Sequence, residues 1–253
     1  MRERVLIAAV AGLLATGPAA AERIAATYEV TLSGLPIGRF EAGLQADAAS
    51  YRLSYSARTA GLVGVLFPFR SAGASEGVLS GLGPAPLRYA GESSRRDGTS
   101  SWAVEFDRDG LVERVDVTVP EDEVREPVPP ALQKAPDPLA LALRVTADAA
   151  PGIRLEDTSF DGKRAVRFTL ACDPAGRLAA NAPGTPADGV LHCTVDGDLA
   201  AGRVRRWQDG RTRDRSPARV QLSPDIVPGR YWPVRVEAET RWGTVIARLT
   251  EVR

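Results

Sequence analysis

TYEVTLSGLPIGRFEAGL, residues 27–44, alternates apolar and polar side chains on both sides of a Gly34-Leu35-Pro36 interruption. Tyr28, Val30 and Leu32 share one face, and Glu29 and Thr31 take the other. Phe40, Ala42 and Leu44 resume the apolar face after the interruption. Successive side chains of a strand point to opposite sides, so the stretch reads as two strands with one buried and one wet face. Such strands belong to antiparallel sheets.

The same period of two recurs outward from this hairpin. Tyr51, Leu53, Tyr55 and Ala57 alternate with Arg52, Ser54, Ser56 and Arg58. Trp102, Val104 and Phe106 run into Asp107-Arg108-Asp109-Gly110, an Asp-Gly hairpin signal, and Val115, Val117 and Val119 return. Asp161-Gly162 opens a strand with Val166, Phe168 and Leu170. Leu191, Cys193 and Val195 precede a second acidic turn at Asp196-Gly197-Asp198. Val234, Val236 and Ala238 are expected to pair with Val245, Ala247 and Leu249 across Trp242-Gly243. The expectation is an all-β, mainly antiparallel fold of about ten strands, a single curved sheet or incomplete barrel. Residues 22–253 form one domain on this reading, since strands far apart in sequence need a shared core.

Two segments depart from the pattern. Ala60 to Phe69, AGLVGVLFPF, is an apolar run containing Gly61, Gly64 and Pro68. A proline-rich linker, 127–136, leads into Asp137-Pro138, an N-cap followed by proline at the first helical position. Leu139, Ala142, Leu143 and Thr146 then fall at i, i+3, i+4 and i+7, which predicts a short amphipathic helix over 138–147. That helix must bury its stripe on the sheet or across a barrel mouth.

The N-terminus has the form of an export signal. Arg2 and Arg4 precede the uncharged stretch Val5–Gly17, and Ala19-Ala20-Ala21 supplies a small-residue cleavage pattern, so cleavage is expected between Ala21 and Glu22. The apolar run is too short for a transmembrane span. Taking two arginines and one glutamate from 32 basic and 32 acidic residues leaves 30 against 31. This balance gives the whole chain no electrostatic footprint for nucleic acid or an anionic membrane. Only Lys134 and Lys163 are lysines.

Little in the chain suggests catalysis or metal binding. Cys172 and Cys193 flank a Pro/Gly/Ala-rich loop and read first as a disulfide in an oxidising compartment, against free thiols or a metal pair. His192 is the one histidine, and its strand neighbour Cys193 points to the other face, so the two do not converge on an ion. The acidic turns lack the spaced ligands of a calcium loop. Gly73-Ala74-Ser75-Glu76-Gly77 formally matches a nucleophile elbow, but the residues after it cannot sustain the helix that motif requires. No metal or cofactor is expected.

Taken together, residues 27–44, TAGLVGVLFPFRSAGASEG at 59–77, DPLALAL at 137–143, FDGKRAVRFTL at 160–170 and YWPVRVEAETRWGTVIARLTEV at 231–252 resemble the DUF3108 family of exported proteobacterial proteins. The resemblance spans nearly the whole mature chain. It implies a periplasmic or envelope setting and an all-β fold, with an incomplete barrel like those of lipoprotein carriers as the fold-level analogy. The function expected is a non-enzymatic periplasmic protein that binds an apolar ligand or acyl chain inside a curved sheet. Leu62, Val65, Leu66, Phe67 and Phe69 are expected to line its interior, with Leu139 and Leu143 opposite. The alternatives are an envelope scaffold or interaction protein with a filled core and, behind it, a hydrolase using Ser75.

Overall fold

The computed structural model describes residues 22–81, 83–174, 189–205 and 217–253. The signal-like stretch, Ala21 included, lies outside the described residues, and Glu22 opens the first strand. The N-terminal half is a meander: β1 (Glu22–Leu32), β2 (Leu35–Ala46), β3 (Ser50–Thr59), the short helix α1 (Gly61–Leu66), β4 (Phe69–Ser80), β5 (Gly83–Arg95), β6 (Gly98–Phe106) and β7 (Val112–Thr118). A connection holding α2 (Pro130–Gln133) leads to α3 (Pro138–Asp148). The second meander is β8 (Arg154–Phe160), β9 (Ala165–Cys172), β10 (Leu191–Ala201), β11 (Ala218–Val227), β12 (Arg230–Thr240) and β13 (Gly243–Val252).

All strands join one antiparallel sheet in the order β7-β6-β5-β4-β3-β2-β1-β13-β12-β11-β10-β9-β8. The first and last strands pair at its centre, Tyr28 opposite Leu249. The two ends of the order, β7 and β8, share no ladder. They nevertheless approach each other, because Gly162 in the β8–β9 turn lies against Val104, Val115 and Val117. The fold is therefore an open, barrel-like sheet with a seam.

The described residues form thirteen strands where about ten are expected. Among those lacking a period-two apolar signal are β4 and β5, whose inward positions are small. Gly73 faces Tyr55 and Gly91 faces Trp102 across the ladder. A Cβ on Gly91 would lie 2.6 Å from the Trp102 ring and 2.5 Å from the Ala72 carbonyl oxygen. The aromatic ring of the neighbouring strand thus fills the space that a side chain would take. Asp196-Gly197-Asp198 is likewise not a turn but the middle of β10, paired with Thr169, Phe168 and Arg167 of β9. The hairpins at Asp107–Gly110 and Trp242–Gly243 form as the sequence implies, the first with Asp107 Oδ1 accepting the N–H groups of Asp109 and Leu111.

The hollow of the sheet is occupied by α3, which packs against β3, β4, β5, β8 and β12. Asp137 caps it as predicted, accepting the N–H groups of Leu139 and Ala140 at 2.8 and 3.0 Å. The buried stripe is Ala140, Leu141, Leu143 and Thr146; Ala142 is exposed, so the inward face is rotated slightly from the one predicted. One core cluster joins Leu143 and Ala140 to Tyr28, Leu44, Tyr51, Leu53 and Trp232. A second spans the seam, uniting Tyr89, Trp102, Val104 and Phe106 with Phe160, Ala165 and Val128. The third surrounds the Cys172–Cys193 disulfide, which joins directly opposed residues of β9 and β10.

Candidate functional site

The apolar loop and the helix expected to face it are not brought together. Leu143 is buried, and Leu139 packs into the core between two clusters. Leu62, Val65, Leu66 and Phe67 instead point to solvent, and α1 buries no residue. Phe69 begins β4 and is half-buried. Six residues are too short a helix to fold back over the sheet's hollow; α1 packs on β2 and β3, and the hollow is already filled by α3.

Ser75 does not form a nucleophile elbow. It lies within β4, fully buried, and the strand continues to Ser80 with no helix after it. Its hydroxyl donates to Asp137 Oδ2 at 2.8 Å and meets the Tyr51 hydroxyl at 3.0 Å. Burial pushes the Asp137 carboxyl up to about 6, although the bonds from Ala140, Ser75 and Leu139 oppose the shift. The trio anchors the start of α3 to the sheet. His192, half-buried on β10, has no described partner for its buried Nε2 atom.

A cleft of about 330 Å3 opens at the seam. Its walls are Val115, Val117 and Val119 from β7 and the chain just beyond it, Val128 from the linker, and Phe160 from β8. Val115 and Val117 are left partly uncovered because β7 ends the strand order of the described residues. Two cations, Arg125 and Lys163, and one carboxylate, the exposed Glu126, border the cleft. The linker places Arg125 by pairing with the chain after β10: Arg125 bridges Val204, Glu126 N–H donates to the Arg203 carbonyl, and Arg125 Nη1 donates to the Gly202 carbonyl at 2.9 Å. The β8–β9 turn places Lys163, with Asp161 Oδ1 accepting the N–H groups of Lys163 and Arg164. From there Lys163 reaches across the seam, its Nζ 4.3 Å from the centre of the Trp102 ring.

The charges around the cleft are unevenly matched. Glu123 bonds Arg95 and Asp161 bonds Arg164, each at 2.8 Å, while Arg125 and Lys163 have no ion pair among the described residues. The Nε atom of Arg125 is buried without a hydrogen-bond partner among the described residues. Burial is the main cause holding both the Arg125 guanidinium and the Lys163 ammonium below their ordinary values. Two partly desolvated cations beside an apolar wall can take a ligand with an anionic head and an apolar body.

A larger, open trough of about 630 Å3 lies on the outer face of β3–β7, floored by Ala72, Ala74, Ala90 and Ala103. Its Arg52 and Glu76 pair with each other. Small outward side chains explain its depth, and its polar groups do not converge as those of the seam do. No group of three or more His, Cys, Asp or Glu is placed to hold a metal among the described residues, and none of the described helices is long and apolar enough to cross a membrane.

The sequence gives no direct sign of the seam cleft, because its parts come from residues 115–133 and 160–163, which only the closing of the sheet unites. The one available hint is Lys163 as one of two lysines in an arginine-rich chain.

Fold and site define an antiparallel, barrel-like β protein with an open seam. The model of the DUF3108 family, described as protein of unknown function, matches residues 27–250, and the chain belongs to that family. Among solved structures it is similar to a β-barrel-like protein of domain of unknown function DUF1849 from Brucella abortus, at 12% identity and a TM-score of 0.49, over 91% of this chain and 97% of that one. The comparison with curated proteins finds no match.

Proposed function

We propose that this is a non-enzymatic protein of the periplasm that binds an amphipathic ligand, an acyl chain with an anionic head, in the seam cleft. The observation that carries the reading is the convergence of Arg125 and Lys163, without ion-pair partners among the described residues, on the valine and phenylalanine walls of that cleft. Its volume lies at the low end of ligand sites, roughly 300–1,000 Å3, which suits a single chain rather than a bulky lipid. The export signal and the disulfide support the oxidising compartment. The site has moved from the hollow, where α3 sits, to the gap where the sheet fails to close.

An anionic apolar dye such as anilinonaphthalene sulfonate tests it. Lys163→Glu reverses a charge that would meet the head group, and Val117→Trp adds bulk to the cleft wall at a partly exposed position of the edge strand β7. Both are expected to weaken dye binding by tenfold or more. Unchanged binding in both variants would refute the cleft as the site. The filled hollow favours a second reading, an envelope scaffold with no ligand, which that negative outcome would support.

A further inference from the structure

One end of the sheet gathers an unusual set of exposed apolar groups. In an antiparallel meander, alternate connections lie at the same end, so the β1–β2 turn, the β3–α1–β4 connection, the β5–β6 turn and the β12–β13 turn share one edge. There Leu35, Leu62, Val65, Phe67 and Trp242 expose between 69% and 75% of their surface, and Leu66 49%. These groups are neighbours and not scattered. The Ser33 N–H bonds the Thr244 carbonyl beside Trp242, and the Ala60 N–H bonds the Ile37 carbonyl beside Leu35. Isolated apolar residues on a surface need no explanation, but a contiguous group of this kind marks an interaction site.

Just below this tip, Arg39, Arg58 and Arg70 lie directly opposite one another on β2, β3 and β4. Their partners in register share the outer face, and all three are exposed. Like charges placed opposite on adjacent strands destabilise a sheet. None of the three has an ion pair among the described residues, although Glu29 stands opposite Arg39 on the other side. The nearby Glu41 accepts from Ser56. At the tip itself are Arg96 and Arg241, the latter stacked on Trp242 at 4.1 Å; of the carboxylates at this end Glu239, Glu123 and Asp161 pair with Arg219, Arg95 and Arg164, and Asp97 lies beside Arg96. The whole-chain charge balance conceals this local excess of cations.

We propose that this end of the sheet docks onto an anionic lipid bilayer, with the apolar tip entering the interface and the arginine row meeting the head groups. An apolar protrusion flanked by cations and by an aromatic–arginine pair is the chemistry of interfacial anchoring. A protein partner would have to supply both a large apolar pocket and a matching acidic belt, which a phosphatidylglycerol surface provides everywhere. Topology places the Gly162–Lys163 turn at the same end, so docking would turn the seam toward the lipid. That consequence rests on the cleft reading; the docking itself does not.

The test is co-sedimentation of the purified protein with vesicles of phosphatidylcholine alone and of phosphatidylcholine mixed with phosphatidylglycerol. The expected result is binding to the mixed vesicles that salt weakens. The variant R39Q/R58Q/R70Q should bind them roughly a hundredfold more weakly, and Phe67→Glu roughly tenfold or more. All four side chains are exposed, and unchanged circular dichroism and melting verify folding. Equal binding to both vesicle types, or a triple variant that binds like the wild type, overturns the proposal. So does a concentration-dependent dimer that Phe67→Glu dissolves, since the tip would then face a second copy. Val117→Trp, which tests the cleft without changing charge, should not weaken sedimentation with the mixed vesicles, so that either idea can fail alone.

Discussion

Asp137 and Ser75, 62 residues apart, are joined by a 2.8 Å hydrogen bond between groups that solvent does not reach. The same carboxylate caps α3, so one side chain fixes both where the helix starts and which strand it starts against. Capping and tethering are usually divided between residues. Here they are concentrated on a group whose ionisation is costly.

That cost makes stability pH-dependent. Asp137 has an ordinary value of 3.8 in the unfolded chain and is pushed up to about 6 in the fold, chiefly by burial. Its protonated form therefore favours folding: the contribution is full below 3.8 and is lost as pH rises through about 6. The loss is on the order of 3 kcal/mol across that window. Asp137→Asn keeps an oxygen for the cap and cannot ionise, while its amide can donate to Ser75. The melting temperature of Asp137→Asn minus that of the wild type should grow between pH 4 and pH 7. A constant difference would show that the carboxyl titrates alike in both states.

Ser75→Ala should destabilise the protein by about 1–3 kcal/mol, because it leaves a buried carboxylate oxygen and the Tyr51 hydroxyl short of a partner. Urea unfolding measures this, and the effect should be non-additive with Asp137→Asn, as expected for residues sharing a bond. Additive losses would mean that the two groups act separately. An esterase assay on the same variant checks the catalytic alternative, with equal background rates expected.

The disulfide makes a different contribution. Cys172 and Cys193 are 21 residues apart, and closing a loop of that size removes about 3 kcal/mol of unfolded-chain entropy. The double replacement by alanine should lower the unfolding free energy measured in urea by that amount, and with it the midpoint, and leave the β9–β10 register intact, since neighbouring ladder pairs such as Val195 with Leu170 hold it. A midpoint unmoved by the replacement would mean that the reduced, unfolded chain is already constrained.

What the sequence discloses follows the scale of the interaction. Tyr28, Val30, Leu44 and Leu53 announce their strands because alternation is local, and Asp137-Pro138 announces α3 because capping is local. Gly73 and Gly91 do not announce theirs, because their smallness answers to Tyr55 and Trp102 on neighbouring strands. Leu62 and Phe67 mislead for a related reason: an apolar loop looks the same in sequence whether it turns inward or out. Arg125 and Lys163 become a pair only when β8 folds back toward β7. The arginine row is invisible until register sets Arg39, Arg58 and Arg70 side by side.

The glycine–aromatic relation leads to a prediction about the seam. Gly91→Ala would put a methyl group 2.5 Å from the Ala72 carbonyl oxygen, 2.6 Å from the Trp102 ring and 2.9 Å from the Gly73 Cα atom. Two of these obstacles are backbone, so relief requires β4 and β5 to part or the ring to move. Overpacking of this kind costs about 1–3 kcal/mol. Trp102 also carries Lys163 across the seam, so its displacement should weaken dye binding at the cleft as well as stability. Gly34→Ala is the control: no atom lies within 4 Å, and only its φ of +86° opposes a side chain, at about 1–2 kcal/mol. It should lower the melting temperature without touching dye affinity. Trp102→Phe added to Gly91→Ala should recover only part of the lost stability, because the smaller ring leaves the Ala72 carbonyl in place. Full recovery would show that the ring alone, and not the packed backbone of β4, demands glycine at this position.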